Sequence, residues 1–274
     1  MNYIEDKFLD TTFLRKIYLE NSPFPHIVFD NFIKKDILDK IEHEFPNLES
    51  LENKIVFNDQ KQIKFASKGS SDFSPTAKEL IWQLNSDIFL KYLQDLTGIK
   101  ETLISDPYFA GAGYHQIKKG GLLKVHADFN KHSMINLDRR LNLLLYLNKN
   151  WDPSWGGNLE LYDKNDLKKP VVSVEPFFNR CVIFSTTSET FHGHPDKISC
   201  PENRTRRSIA LYYFSSGRPK SESKEIHGTK FVPVKGDKFE SEAEYNFSIK
   251  GFIAEWLLSS GMKKVLRKLL TKYF

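Results

Sequence analysis

The sequence predicts a mainly β protein, a sandwich or barrel with helices packed on its outside. Residues 1–100 hold stretches of helical apolar spacing, whereas beyond Lys100 β-forming runs recur near 107–117, 122–128, 140–148, 158–162, 170–175, 180–185 and 206–215. Clusters of Gly, Pro, Asn or Asp separate these runs, as they do in many-stranded domains.

Taken in order, the start is polar, and PHIVFDNF (25–32) alternates as a short strand. Ile33, Ile37, Leu38, Ile41 and Phe45 then recur at helical spacing up to Pro46. The stretch 47–73 reads as polar and irregular. Ser74-Pro75-Thr76 with Glu79 offers an N-cap, a first-turn proline and a capping box. One long helix is expected from there, its face built from Leu80, Ile81, Leu84, Ile88, Tyr92, Leu93 and Leu96, and Gly98 should stop it. Trp155-Gly156-Gly157 reads as a turn feeding NLELY. Residues 216–248 read as a charged surface loop with one hairpin, and Phe252–Phe274 as a basic amphipathic tail that Gly261 divides into two helices.

The 274 residues suffice for a sizeable core. Forty Lys+Arg against 35 Asp+Glu give a net charge of +5, a solvated basic surface that would also attract an anionic substrate. No nucleic-acid partner is expected. Cys181 and Cys200 are the only cysteines, which excludes a disulfide framework or a Cys-rich zinc site and points to a reducing, cytoplasmic home. The opening MNYIEDKFLDTTF has no apolar core of signal-peptide length. No window reaches the ~18 apolar residues of a membrane span. The basic tail suits docking on its own domain, or contact with a partner or membrane surface.

The chemistry concentrates in GAGYHQIKKGGLLKVHADFN (111–130), which ends an apolar run with His126 and Asp128. Two residues apart on a strand, both side chains face one way and form half of a metal site. FHGHP (191–195) supplies a third ligand, His192 or His194, which share parity; His194 also reads as a turn residue before Pro195. Two histidines and a carboxylate on one side of a metal form the facial arrangement of non-haem iron(II) oxygenases. Zinc would favour a closed four-ligand site or a hydrolytic three-ligand one.

Downstream, RTRRSIALYYFS alternates Arg206, Ser208, Ala210 and Tyr212 against Arg207, Ile209, Leu211 and Tyr213. An inward arginine is costly unless a carboxylate completes a bidentate pair with it. On RRLNLLLYLN, Asn142, Leu144 and Tyr146 share one parity, and the Tyr146 hydroxyl would reach the same anion or else pack in the core.

The order of these motifs resembles the prolyl-hydroxylase-type branch of the 2-oxoglutarate and iron(II)-dependent oxygenases, from about Tyr108 to Phe214. The pieces are HAD (126–128), RRLNLLLYLN (139–148), WGGNLEL (155–161), FHGHP (191–195) and RRSIALYYF (206–214). The resemblance implies a double-stranded β-helix (jelly-roll, cupin-like) core over 101–217, a support region over 1–100, and a charged loop with C-terminal helices over 218–274, all within one overall domain. It implies iron ligation by His126, Asp128 and His192, since the distal histidine of the family commonly stands three residues before a proline, here Pro195. Arg206, with Tyr146 and Ser208, would hold the far carboxylate of 2-oxoglutarate, Arg207 being the fallback. Where oxygen-sensing relatives place a second cosubstrate tyrosine, ten residues before the first histidine, this chain has Gln116, which the resemblance puts in the cosubstrate-binding set with that contact altered or shared with another group.

The implied activity consumes O2 and 2-oxoglutarate, releases succinate and carbon dioxide, uses ascorbate as reductant, and hydroxylates a prolyl residue of a protein or peptide. Asp128 also favours hydroxylation over halogenation, because related halogenases replace that acid with a small residue. A free amino acid, glycan or small metabolite is the alternative substrate; a non-catalytic β-helix binding module and a zinc hydrolase are the alternative classes. Asn130, Arg139 and Arg140 adjoin the expected mouth and are candidates for substrate contact.

Overall fold

The computed structural model describes residues 1–222, 225–234, 236–239 and 242–243. The expected C-terminal helices and their division at Gly261 lie outside these residues.

Helix α1 (Thr11–Glu20) occupies part of the start that reads only as polar in the sequence, with Asp10 accepting a hydrogen bond from Thr12 N at 2.9 Å as its N-cap. After β1 (His26–Asp30) comes α2 (Lys35–His43). The stretch expected to be irregular instead forms a hairpin, β2 (Lys54–Asn58) and β3 (Gln62–Ser67). Asp59 closes its turn by accepting from the backbone N–H groups of Lys61 (2.7 Å) and Gln62 (2.9 Å).

The expected long helix is two helices, α3 (Pro75–Leu84) and α4 (Asp87–Thr97). Ser74 and Ser86 each cap a new N-terminus, accepting from Ala77 N at 3.2 Å and from Phe89 N at 3.3 Å. Continuous apolar spacing hid this break, because Asn85-Ser86 sits on it without disturbing the period. Gly98 ends α4 at φ +74°, as expected of a left-handed C-cap. Glu79 does not complete a capping box; its carboxylate accepts from the Tyr3 hydroxyl at 2.7 Å.

The remaining strands are β4 (Leu103–Ser105), β5 (Gly113–Ile117), β6 (Leu122–Ala127), β7 (Asp138–Tyr146), β8 (Leu159–Tyr162), β9 (Val172–Val174), β10 (Arg180–Ser185), β11 (Phe191–His194), β12 (Arg206–Ser215), β13 (Lys230–Phe231) and β14 (Glu242–Ala243). They curl into an antiparallel half-barrel in the order β1-β10-β7-β12-β5-β3-β6-β11-β8-β9. β12 pairs with β7 along its length, with β5 at its start and with β4 at its end.

Alternation gives β7 and β12 two different faces. Leu141, Leu143, Leu145, Ile209, Leu211 and Tyr213 join Leu38, Ile41, Leu80, Ile81, Leu93 and Leu96 of the helices in one buried core. Each fully buried aliphatic side chain there contributes about 1.5–3 kcal/mol. The opposite face lines a polar chamber inside the curl. Among the described residues, no helix is long and apolar enough to cross a membrane.

Candidate metal and cosubstrate site

His126 stands at the end of β6 and His192 opposite it on β11, a directly paired position of the two strands. Asp128 follows just past β6. One donor atom from each of these three residues lies within 4.8 Å of the others. The His126 Nε2 is 3.6 Å from Asp128 Oδ1, and the His192 Nε2 is 3.4 Å from Asp128 Oδ2.

Backbone carbonyls fix the rings. Nδ1 of His126 lies 2.8 Å from Lys124 O, and Nδ1 of His192 lies 3.1 Å from Thr190 O. A carbonyl can only accept, so Nδ1 carries the proton and the neutral ring presents its Nε2 lone pair to Asp128 and the space between. Burial favours the neutral form of His192 further, lowering its pKa to about 4, with the nearby His126 adding to the effect. Burial works against an ionised Asp128, but the Arg139 guanidinium outweighs it and holds the carboxyl well below the usual range. Asn142 donates to Asp128 Oδ2 at 2.7 Å, and Arg139 Nη2 approaches the same oxygen at 3.2 Å. Two neutral imidazoles and one anchored carboxylate suit a divalent metal with open positions.

Deeper in the same chamber, β12 points Arg206 and Ser208 inward, both buried. Arg206 Nε donates to Gly157 O at 2.7 Å, and Nη2 donates to the Tyr146 hydroxyl at 3.2 Å. Because Tyr146 accepts from arginine, its own proton is free to donate elsewhere. Among the described residues no carboxylate pairs with Arg206, and burial lowers its pKa. A buried guanidinium beside a free hydroxyl proton fits the carboxylate of a dicarboxylic acid. The Gly156-Gly157 turn therefore has a second use. A Cβ at Gly157, where φ is +77°, would sit 3.0 Å from both Arg206 Cδ and Ile198 Cδ1, so only glycine brings this carbonyl so close.

Other expected residues are placed differently. Gln116 does not join the chamber: its Oε1 accepts from Leu48 N at 2.7 Å, and its Nε2 donates to Thr205 Oγ1 at 3.2 Å. Strand alternation sends its neighbour His115 inward instead, where Nε2 lies 3.0 Å from Gly111 O. Arg207 faces α2, 3.5 Å from Glu42. His194 lines the inner chamber with neither ring nitrogen hydrogen-bonded, and lies outside the three-residue donor group because the register shifts between it and His192. Arg140 turns away to Glu101 at 2.8 Å, and Asn130 is spent on the backbone of Glu225 and His227. Arg139 remains at the mouth, its guanidinium 3.5 Å from the Tyr212 ring centre and 4.3 Å from that of Phe129.

The chamber is continuous with a wider outer cavity of about 320 Å³. Lys64, Leu123, His126, Asp128 and Tyr212 line both. Sequence reading missed Lys64 and Asn142 as site residues. Asn142 carried a signal, being a polar residue at an inward position of a leucine-rich strand, whereas Lys64 was hidden in a stretch expected to be irregular.

Residues 112–214, the span that contains this donor group and Arg206, match the family model described as the 2OG-Fe(II) oxygenase superfamily. That span is similar to 2OG-Fe(II) oxygenase domains. The chain is 28% identical over 204 residues to "Prolyl 3-hydroxylase OGFOD1" of Xenopus laevis, a match covering 72% of the chain and 36% of the relative. The corresponding Mus musculus protein is 27% identical over 202 residues, covering 72% and 34%. The chain thus spans about a third of the length of the curated relatives it matches.

Among solved structures, the fold is similar to a prolyl hydroxylase from Trichoplax adhaerens in complex with a hypoxia inducible factor peptide fragment (TM-score 0.53, 16% identity, covering 76% of this chain and 96% of that one). It is also similar to a Pseudomonas putida prolyl-4-hydroxylase (TM-score 0.52, 18% identity, covering 75% and 100%). These likenesses support the double-stranded β-helix architecture.

Proposed function

We propose that this chain is an iron(II)- and 2-oxoglutarate-dependent dioxygenase that hydroxylates an unactivated C–H bond, that of a prolyl residue in a protein or peptide, with release of succinate and carbon dioxide. The observation that carries the reading is one chamber lined by His126, Asp128, His192 and Arg206, with Arg206 donating to the Tyr146 hydroxyl. A binding module gains nothing from burying these groups together, and a zinc hydrolase leaves Arg206 without a task. The prolyl substrate rests on the names of the relatives and structural neighbours.

In this reading His126, Asp128 and His192 hold the iron, and Arg206, Tyr146 and Ser208 hold the far carboxylate of 2-oxoglutarate. The bound iron and keto acid supply the oxidative chemistry that activates O2, with ascorbate as the reductant that maintains the iron. The protein supplies geometry and electrostatics. Asn142 and Arg139 keep Asp128 ionised and oriented, the two backbone carbonyls keep Nε2 of each histidine available, and Tyr146 offers its proton to the carboxylate. Phe129 and Tyr212 wall the entrance and limit water. A reducing compartment such as the cytoplasm suits the buried free thiols of Cys181 and Cys200.

The test is to supply iron(II), ascorbate and 2-oxoglutarate and to follow succinate, with and without prolyl peptides. Succinate formation that requires Asp128 and rises with a peptide gaining one oxygen is the expected result. Failure of the iron-loaded protein to bind 2-oxoglutarate without oxygen would overturn the reading.

A further inference from the structure

Lys64 is a cation that the arrangement above does not use. It projects from β3 into the seam where the inner chamber meets the outer cavity, and lines both. Its ammonium lies 4.8 Å from the Phe57 ring centre, and among the described residues it has no hydrogen bond or ion pair. The other two cations at the outer cavity are already matched. Lys131 lies 3.0 Å from Asp138, and Arg139 lies 3.2 Å from Asp128.

The charge balance persists when the chamber is filled. A divalent metal and a doubly charged keto acid cancel each other, which leaves Asp128 alone against Arg206, Arg139 and Lys64. A site with such an excess of positive charge, partly withdrawn from water, attracts a carboxylate and disfavours a second cation. The remaining volume is outside the metal group, in the cavity walled by Phe57, Phe129 and Tyr212. An anion there would belong to the substrate.

We propose that Lys64 is a specificity-determining residue that pairs with a carboxylate on the substrate, presented next to the carbon that reacts. The carboxylate comes from an acidic residue flanking the target in a peptide, or from the free carboxyl group of a small molecule. This inference rests on the functional reading above for the position of the reacting carbon. It accounts for a lysine in the β2–β3 hairpin at a point where burial, acting against the ammonium, lowers its pKa to about 8. Asp128, Asp59 and the Phe57 ring offset only part of that penalty, and an incoming carboxylate would offset more of it.

The experiment uses the full chain loaded with iron(II) and 2-oxoglutarate under nitrogen, with binding followed by calorimetry. The probes are blocked peptides containing one proline flanked by Glu or by Gln, and N-acetylproline against its amide. The wild-type protein is expected to bind an acidic probe roughly tenfold more tightly than its neutral partner, about the worth of one such ion pair. Preference within the peptide pair assigns the carboxylate to a flanking residue, and preference for N-acetylproline assigns it to a free carboxyl group. Lys64→Met should remove the preference while leaving 2-oxoglutarate affinity unchanged, and Lys64→Arg should retain most of it.

No acidic probe bound more tightly than its neutral partner by the wild-type protein would overturn the proposal, whatever the variants do. So would a preference that survives in Lys64→Met, or a loss of 2-oxoglutarate affinity in that variant, which would move Lys64 to the cosubstrate. Failure of the wild-type protein to bind 2-oxoglutarate would instead strike the functional reading, and the peptide titration would still decide Lys64.

Discussion

Strands β7 and β12 present two interiors from one backbone. Towards the helices they offer Leu141, Leu143, Leu145, Ile209, Leu211 and Tyr213, all buried among apolar neighbours. Towards the chamber they offer Asn142, Arg206, Ser208 and Tyr212, nearly as buried but polar. The comparison separates two sources of cost. On the helix side a substitution loses packing, and on the chamber side it loses a directed contact while leaving most of the core in place.

The largest effect is expected at Asp128. Asp128→Ala removes the carboxylate between the two histidines, and should lower iron affinity by more than the roughly 10–100-fold typical of losing only an outer partner. Iron retained after desalting and succinate formed per enzyme would measure it, with the melting temperature little changed. Leu143→Ala should do the reverse. It should cost about 2–5 kcal/mol of stability in denaturant titration, while the folded fraction binds iron as before. If Leu143→Ala weakened iron binding in the folded protein as strongly as Asp128→Ala does, the two faces would not be separable.

Within the polar face, finer contrasts follow. Arg206→Ala should keep iron and weaken 2-oxoglutarate, since charge-assisted hydrogen bonds are worth about 1.5–3 kcal/mol, or roughly 10–150-fold in affinity. Unchanged cosubstrate affinity would hand the role to another group. Asn142→Ala should reduce iron affinity by about tenfold through a less anchored Asp128, without altering the dissociation constant for 2-oxoglutarate in the protein that has bound iron.

An effect of similar size to that of Asn142→Ala concerns acid. Burial, with Lys64 adding to it, lowers the pKa of His115 to about 3. The folded state keeps this ring neutral while the unfolded chain protonates it near pH 6.5, so lowering the pH favours unfolding. The stability is present above about pH 6.5 and is lost progressively towards pH 3. Between pH 7 and pH 5 the metal-free protein should lose roughly 1–2 kcal/mol through this ring. Denaturant titrations of His115→Gln at the two pH values should show a shallower decline than wild type; an equal decline would remove His115 as the cause.

Much of this division was legible in the sequence, because alternation is a local property of the strand. Arg206 and Ser208 on one parity of RTRRSIALYYFS, and His126 with Asp128 two residues apart, fall on one face by residue spacing alone. What alternation could not decide was anything set by another strand. The shared parity of His192 and His194 is split by a register shift against β6, which brings only His192 opposite His126. Gln116 was misplaced for a related reason: a motif position was transferred without its face, and β5 turns that face towards Leu48. The β2–β3 hairpin was lost because its short β-forming runs, Ile55–Phe57 and Ile63–Phe65, are set among polar residues, so Lys64 escaped notice.

The central claim is that one chamber holds a metal at His126, Asp128 and His192 and a dicarboxylate at Arg206. The most direct measurement is an oxygen-free titration of 2-oxoglutarate into the iron(II)-loaded protein, following the visible charge-transfer absorption that appears when a keto acid chelates ferrous iron. The wild-type protein should develop the band saturably, Arg206→Ala should need roughly 10–150-fold more 2-oxoglutarate, and Asp128→Ala should develop none. A wild-type protein that binds iron yet shows no such band would contradict the account.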